Sequence, residues 1–471
     1  MNAASNPNSV NKVEIAHRAS FLSNTSQTKD ADGGYENLFI ATRDGDAATV
    51  RHLLLQAPDP TTLANATRGC GGDTLLHTAA QRGHHLIVKA TSASVASKKV
   101  WSPLYEACLS GHQLVVRELL AHGANVDCVT TEGWTPLHAG ARHGHRAVVR
   151  ELLAHTPNTR AANGLGWTPL HIAARYGHDG VLAELLAHGV DVDAAGVNGA
   201  TPLFTAARND HRNVVAMLLA HGASPDAAVS DGRTTVHIAT KNGREEVVRL
   251  LLAHGADVHV ATNAGETPLH TAAVAGHAGI AAELLTHGAE VESLVDDGRS
   301  PLHLATMNGH AGVVRVLLAD GADVDIVDAH GASSLHLAAV HGRPLIATEM
   351  LARGALVGAG KIGEKTPLYV AAYFGRVDIV RALLAHGSDT AAAVGAQRLT
   401  PLHAAAQFGH PEVVKELLAR GADLCATSDS GATPLVLAMR SGYKDVAALL
   451  SAFGEKMVAA APAAGKSPTA V

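Results

Sequence analysis

The sequence predicts an all-α solenoid of short helical hairpins, and two observations carry that prediction. A tetrad reading TPLH, or a close variant, begins at Ser102, Thr135, Thr168, Thr201, Thr234, Thr267, Ser300, Ser333, Thr366, Thr400 and Thr433, at intervals of 33 residues with a single one of 34. A fixed period of this length is the mark of one helical unit stacked many times. The chain of 471 residues also holds only 3 Trp, 6 Tyr and 6 Phe. Aromatic rings dominate most large cores, so a core without them needs small and branched aliphatics on closely apposed helices.

Each element of the unit has a local cause. Thr is a good N-cap, and Pro in the next position has no amide hydrogen for the helix to leave unpaired. Leu and a pair of Ala, as in Leu170, Ala173 and Ala174, form the buried stripe of a first helix. Gly144, Gly177, Gly243 and Gly276 suit the left-handed turn that ends it, and Asp210 takes that place once. A second helix carries paired aliphatics one turn apart, as in Val148, Val149, Leu152 and Leu153, and ends at another Gly. No such unit buries its apolar face alone, so stability must come from stacking.

The consensus G-x-TPLHxAAxxGHxxVVxxLLAHGAxVD resembles the ankyrin repeat over residues 36–453. The resemblance implies a right-handed solenoid of about 12–13 helix-turn-helix repeats joined by β-turn hairpins. The expected layout is a disordered tail over 1–34, an array over 35–454 and a second disordered tail over 455–471. Within the array, 35–68 reads as an N-terminal cap, 69–96 as an irregular repeat, the regular repeats start near 97, and 428–454 reads as the C-terminal cap. Thr74-Leu-Leu-His77 starts the irregular unit 28 residues before Ser102, after a long loop, Ala57 to Asp73. Thr156, Glu364 and Arg398 stand at turn positions where the pattern has Gly.

Charge and motif content exclude several classes. The net charge of −6 gives no general attraction to nucleic acid or to acidic membranes. No apolar run is long enough to span a bilayer, and no basic-then-apolar leader is seen at the start. Four cysteines without CxxC spacing fit neither a disulfide scaffold nor a zinc site. The expectation is an intracellular protein, cytoplasmic before nuclear. Of 30 histidines, most fall at three fixed registers of the repeat. Equivalent side chains in adjacent units stand about 8–10 Å apart, too far to share one metal ion. The tetrad His is expected to bond its own Thr and the adjacent turn, and no metal or cofactor is expected. No nucleophile elbow, Walker loop, kinase set or HExxH string occurs, and Val357-Gly-Ala-Gly-Lys361 lacks the length and the hydroxyl residue of a P-loop. Cys108 replaces an Ala of a first helix and reads as a small buried hydrophobe. The expectation is a protein that is not an enzyme.

What remains is a candidate partner surface. Trp101, Trp134 and Trp167 each precede a tetrad in successive units, and Arg142, Arg175, Arg208 and Lys241 fall seven residues after a tetrad starts, with His143 and Tyr176 beside them. Trp and Arg are enriched in binding hot spots, and Arg pairs bidentately with carboxylate and phosphate. In ankyrin-like proteins these registers lie at the turn hairpins and the concave surface, so the resemblance implies a protein partner, with an acidic or phosphorylated segment matching the basic row. Trp and Arg at these registers are also common in such repeats, where aromatics stack between adjacent turns. A secondary candidate is the aromatic group Tyr373, Phe374 and Phe408 at the same register. The leading reading is therefore a monomeric, non-catalytic scaffold or adaptor. Two alternatives stand beside it. One is nucleotide or single-stranded nucleic-acid binding by the Trp/Arg stripe, opposed by turn acids such as Asp127, Asp191, Asp193, Asp257, Asp323 and Asp325. The other is a structural spacer linking membrane or cytoskeletal partners.

Overall fold

The computed structural model describes residues 34–56, 67–68, 73–91, 102–358 and 365–460. Trp101, Glu364, most of the loop from Ala57 to Asp73 and the residues 1–33 and 461–471 of the expected tails lie outside the described residues. Among those described there are 26 α-helices, two strands of two residues each, and the isolated bridges Val327–Ser333 and Val394–Leu399. The chain divides into two compact units, Met1–Thr131 with Ala154–Pro157, and Glu132–Leu153 with Asn158–Val471.

The first unit holds three helical hairpins: Gly34–Asp44 with Ala47–Gln56, Leu75–Arg82 with His85–Ala90, and Pro103–Ser110 with Gln113–Ala121. The irregular repeat keeps its N-cap: Thr74 accepts the His77 amide and His77 bonds back to the Thr74 amide. Its second helix has six residues where the next repeat has nine. Thr67–Arg68 pairs antiparallel with Asp73–Thr74 to lead into it.

The second unit is a two-layer array. Successive first helices pack on one another in one layer and successive second helices in the other. The unit of Thr168 shows why: Pro169 opens the helix Pro169–Tyr176 after a Thr168 N-cap in extended backbone, and Gly177 closes it at φ 70. Leu170, Ala173 and Ala174 are buried, as are Val181, Leu182, Leu185 and Leu186 on the second helix, Asp179–Ala187. Alanine at the inner face is what lets the first helices approach. In this unit the buried aromatics Phe204 and Tyr369 fill the tetrad position that His holds elsewhere.

Two expectations need comment. The last helix runs Lys444–Ala460, six residues past the boundary expected at 454. A single glycine, Gly454, costs a helix only about 1 kcal/mol, and the good helix formers Glu455, Lys456 and Met457 follow it, so nothing there stops the helix. The expected turn departures are seen at Thr156, Asp210 and Arg398, the non-glycine residues with positive φ among the described residues, at 50, 63 and 50.

Two measurements follow. Arg398→Gly relieves left-handed strain, worth about 1 kcal/mol, and should raise the urea midpoint; an unchanged or lower midpoint would show that the side chain compensates. Amides of residues 74–91, with the short second helix, should exchange with deuterium faster than those of 229–327. Equal protection would contradict a locally weaker repeat.

Candidate functional site

The tetrad histidines make the frame on which everything else is placed. In the Thr135 unit the Thr135 amide donates to His138 Nδ1 at 3.2 Å, and the Thr hydroxyl stands 2.8 Å from the same nitrogen. With Nδ1 accepting, the proton sits on Nε2, which donates to the Trp167 carbonyl of the next repeat at 2.8 Å. The same reach to the next hairpin recurs from His171 to Ala200, His237 to Glu266, His303 to Ala332, His336 to Lys365 and His403 to Ala432, at 2.9–3.1 Å. Burial drives these rings toward the neutral form: the pKa of His138 falls to about 4, that of His270 to about 4, and His171, His237, His303, His336 and His403 move in the same direction.

A second histidine row ties the layers at the start of the second helices. His178 Nε2 donates to the Arg142 carbonyl at 3.0 Å, His211 to Arg175 at 2.8 Å and His310 to Val274 at 3.0 Å. The ring lies over the turn glycine of the preceding repeat, so a Cβ on Gly144 would stand 2.7 Å from His178 Nδ1. Where Asp210 replaces that glycine, the next repeat carries Arg244 in place of His, with Nη1 3.6 Å from the Asp210 carboxylate. Arg343 and Arg376 likewise substitute for His and reach the carbonyls of Met307 and Val340 at 3.0 and 3.1 Å. The third row caps second-helix C-termini: Nδ1 of His188, His221, His254 and His287 bonds the carbonyl four residues before it, at 2.8–2.9 Å.

On this frame the Trp/Arg stripe is partly self-engaged. Asn163 Oδ1 accepts the Leu165 and Trp167 amides at 3.0 and 3.1 Å and so shapes the hairpin that presents Trp167. The Arg175 guanidinium lies 4.9 Å from the Trp167 ring and 5.9 Å from Tyr176; Arg142 lies 5.4 Å from Trp134. Each indole also rests on its own tetrad histidine, at 5.7 Å for Trp134 and 6.4 Å for Trp167. A Cβ on Gly196 of the following hairpin would come within 3.0 Å of Trp167, so the indole also supports the next turn. Both indoles are half-buried, while His143, Tyr176, Arg208 and Lys241 are exposed. Arg208 and Lys241 have no tryptophan before their tetrads, where Ala200 and Arg233 stand. Trp101 lies outside the described residues.

The secondary candidate is brought together. Tyr373 stands 4.1 Å from Phe408 and 4.9 Å from Phe374, and Lys365 Nζ lies 5.8 Å from the Tyr373 ring. Phe374 is 41% exposed. At the register of Phe374 and Phe408, other repeats carry Asn209, Asn242 and Asn308, whose side-chain amides donate to the carbonyl four residues earlier at 2.8–3.0 Å.

Sequence reasoning missed one device. Asp193, Asp226, Glu292 and Asp325 recur at the period, and each carboxylate accepts a backbone amide of the next repeat, from Ser224, Asp257, Asp323 and Leu356, at 2.9–3.0 Å. Asp193 and Asp325, read above as acids that repel nucleic acid, are thus inter-repeat staples; their 33-residue spacing was the available signal. Cys108 is fully buried, as expected, and burial pushes its thiol well up. Among the described residues no group of three or more His, Cys, Asp or Glu is arranged to hold a metal ion, and no helix is long and apolar enough to cross a membrane.

The buried histidines predict a pH dependence. Below the unfolded value of about 6.5 the unfolded chain takes protons that the folded rings refuse. Stability is therefore fully present above pH 6.5 and falls as pH drops toward about 4, by up to ~3 kcal/mol each for His138 and His270. Urea midpoints should decline between pH 7 and 4.5, with a shallower decline in His138→Phe. A flat profile would refute the neutral tautomer.

Comparison with known proteins agrees with this geometry. The family model "Ankyrin repeats (3 copies)" matches at 38–129, 86–163, 155–229, 225–295, 283–360, 335–428 and 368–460. Among solved structures, the human ASB11 ankyrin repeat domain is 33% identical, with 47% of this chain and 97% of that one covered, at a TM-score of 0.43. A protein of Oryza sativa subsp. japonica described as "Probable E3 ubiquitin-protein ligase XBOS32" is 33% identical over 111 residues, 22% of each chain, so the match spans about a fifth of that relative's length. Ankyrin repeats serve in general as protein–protein interaction modules. With the repeat matched from residue 38 to 460 and its hydrogen-bonded tetrads seen unit after unit, the chain belongs to the ankyrin-repeat family.

Proposed function

We propose that this chain is a non-catalytic adaptor or scaffold that holds a protein partner by an acidic or phosphorylated segment laid along the stripe from Trp134 to Lys241. The observation that carries the reading is the placement of Arg175. Its guanidinium is stacked on Trp167 beside the exposed ring of Tyr176, so a cation with free N–H edges is held in position before any partner arrives. Stacking leaves the guanidinium plane edge available for a carboxylate or phosphate, and preorganisation lowers the ordering cost of binding. Arg208 and Lys241 continue the exposed cationic row in the next two repeats. The protein acts in this reading as a monomer inside the cell, with the repeats as the binding element and not as a spacer between its ends.

The test is fluorescence anisotropy with a labelled ten-residue acidic peptide, with and without phosphoserine, against the full chain. Arg175→Glu with Arg208→Glu should weaken binding at least tenfold, and Trp134→Ala with Trp167→Ala should do the same if circular dichroism stays unchanged. Removing residues 1–33 and 461–471 should leave affinity intact. Unchanged affinity in the arginine variant would remove the stripe as the site; loss on removing the ends would favour the spacer reading. Stronger binding of single-stranded DNA than of the peptide, with steep weakening by salt, would favour the nucleic-acid alternative.

A further inference from the structure

At the end of the first helix three repeats place an asparagine, and two consecutive repeats place a phenylalanine instead. At the eighth residue after the tetrad starts, Asn209, Asn242 and Asn308 turn their side-chain amides back to the carbonyls of Thr205, Ile238 and Leu304. Those carbonyls belong to the last turns of the helix, and the asparagine amide adds a donor there beside the backbone one, as at Ile238, which also takes the Asn242 backbone amide. Phe374 and Phe408 stand at this register in consecutive repeats and supply no donor. Phe374 leaves 41% of its surface in water. Their rings pack against Tyr373 instead, at 4.9 and 4.1 Å, and form one continuous aromatic patch across two repeats. Two consecutive rings that add no side-chain donor to the helix end, Phe374 exposed and Phe408 half-buried, mark a place where the residue type serves something besides the helix end.

The surroundings specify the chemistry. Lys365 is exposed before the tetrad of Tyr373's repeat, Arg398 is exposed on the next hairpin, and Arg440 is exposed one repeat on, at the register of Tyr373. Among the described residues none of the three has a carboxylate within ion-pair distance, and the acid of the adjoining hairpin, Asp429, is a single opposing charge. Lys365 Nζ lies 5.8 Å from the Tyr373 ring. We infer that this patch is a second docking surface, separate from the stripe at Trp134–Lys241, for a protein segment that carries one aromatic or large aliphatic anchor flanked by acidic residues. The anchor covers Phe374 and Phe408, and the acids answer Lys365, Arg398 and Arg440. Burying the anchor supplies the affinity and the cations set the orientation.

The variant that tests this is supplied by the repeat itself. Phe374→Asn with Phe408→Asn installs the side chain that three other repeats use as a cap, so folding and thermal stability should be unchanged or improved. The probe is a fluorescein-labelled peptide of ten residues, Asp and Glu around a central Phe, titrated against the full chain. The double variant should lose at least tenfold in affinity for it, and replacing the peptide's Phe by Ala should cost the wild type a similar factor. Lys365→Glu should weaken binding severalfold, and the difference between the Phe peptide and its Ala version should persist in an Arg175→Glu, Arg208→Glu background, where the stripe no longer takes the acids. Unchanged affinity in the double variant, or loss only in the arginine variant, would overturn the inference. A fall in melting temperature of the double variant would overturn it too, since the rings would then be core. Self-association in sedimentation velocity that Phe374→Asn abolishes, without peptide binding, would replace the segment by a second copy of this chain.

Discussion

A buried hydrogen bond from the tetrad histidine ring of one repeat to a backbone carbonyl of the next, made in six repeats of the second unit, is the recurring polar link between neighbours; the repeats of Phe204 and Tyr369 stack without it. It is possible only because the same ring is held from behind by its own Thr amide and hydroxyl, which fixes the proton on the outward nitrogen. The aliphatic helices supply the stacking energy, yet they are alike from repeat to repeat and specify little about register. The imidazole makes the hairpin of one repeat a partner of the helix in the previous one, and a slip of one residue would bury an unpaired ring nitrogen and an unpaired carbonyl together.

The other rows extend the same logic to the edges. Histidine over a turn glycine joins the end of one first helix to the start of the next second helix, and where Asp210 stands in for the glycine, Arg244 stands in for the histidine. Carboxylates such as Asp193 and Asp325 close the opposite side by accepting amides of the following repeat. Nearly every polar group that recurs at the period is thus occupied by a neighbour. A side chain that recurs and is occupied belongs to the frame, and one that departs from the frame and stays exposed is the place to look for a partner.

By that criterion the two candidate surfaces differ. Trp134 and Trp167 lean on their tetrad histidines and hold arginines, so their indoles serve the frame as well as any ligand. Phe374 and Phe408 give it no side-chain hydrogen bond where three other repeats have an asparagine that does. The sequence displayed Trp/Arg more prominently, because two rare residue types at a fixed period catch the eye. It displayed the phenylalanines only as a change of residue type, since the hydrogen bond they forgo exists only once the asparagines are seen folded.

The amino-acid sequence by itself determined the repeat, its period, the placement of caps and turn glycines, and the register of the histidines. All of these are local or nearest-neighbour matters, governed by backbone preference and by apolar spacing within about 33 residues. Even the exceptions Thr156, Asp210 and Arg398 were legible, because a left-handed turn tolerates few residues. The end of the last helix was not, since one glycine followed by good helix formers is too weak a signal to set a boundary. Tertiary structure alone decided which polar groups are used up: that Asp193 meets the Ser224 amide, that Arg175 stacks on Trp167, that Phe408 closes on Tyr373. Each of those pairings depends on how one repeat is rotated and translated onto the next, and that geometry arises from the sum of many small contacts no single stretch of sequence contains.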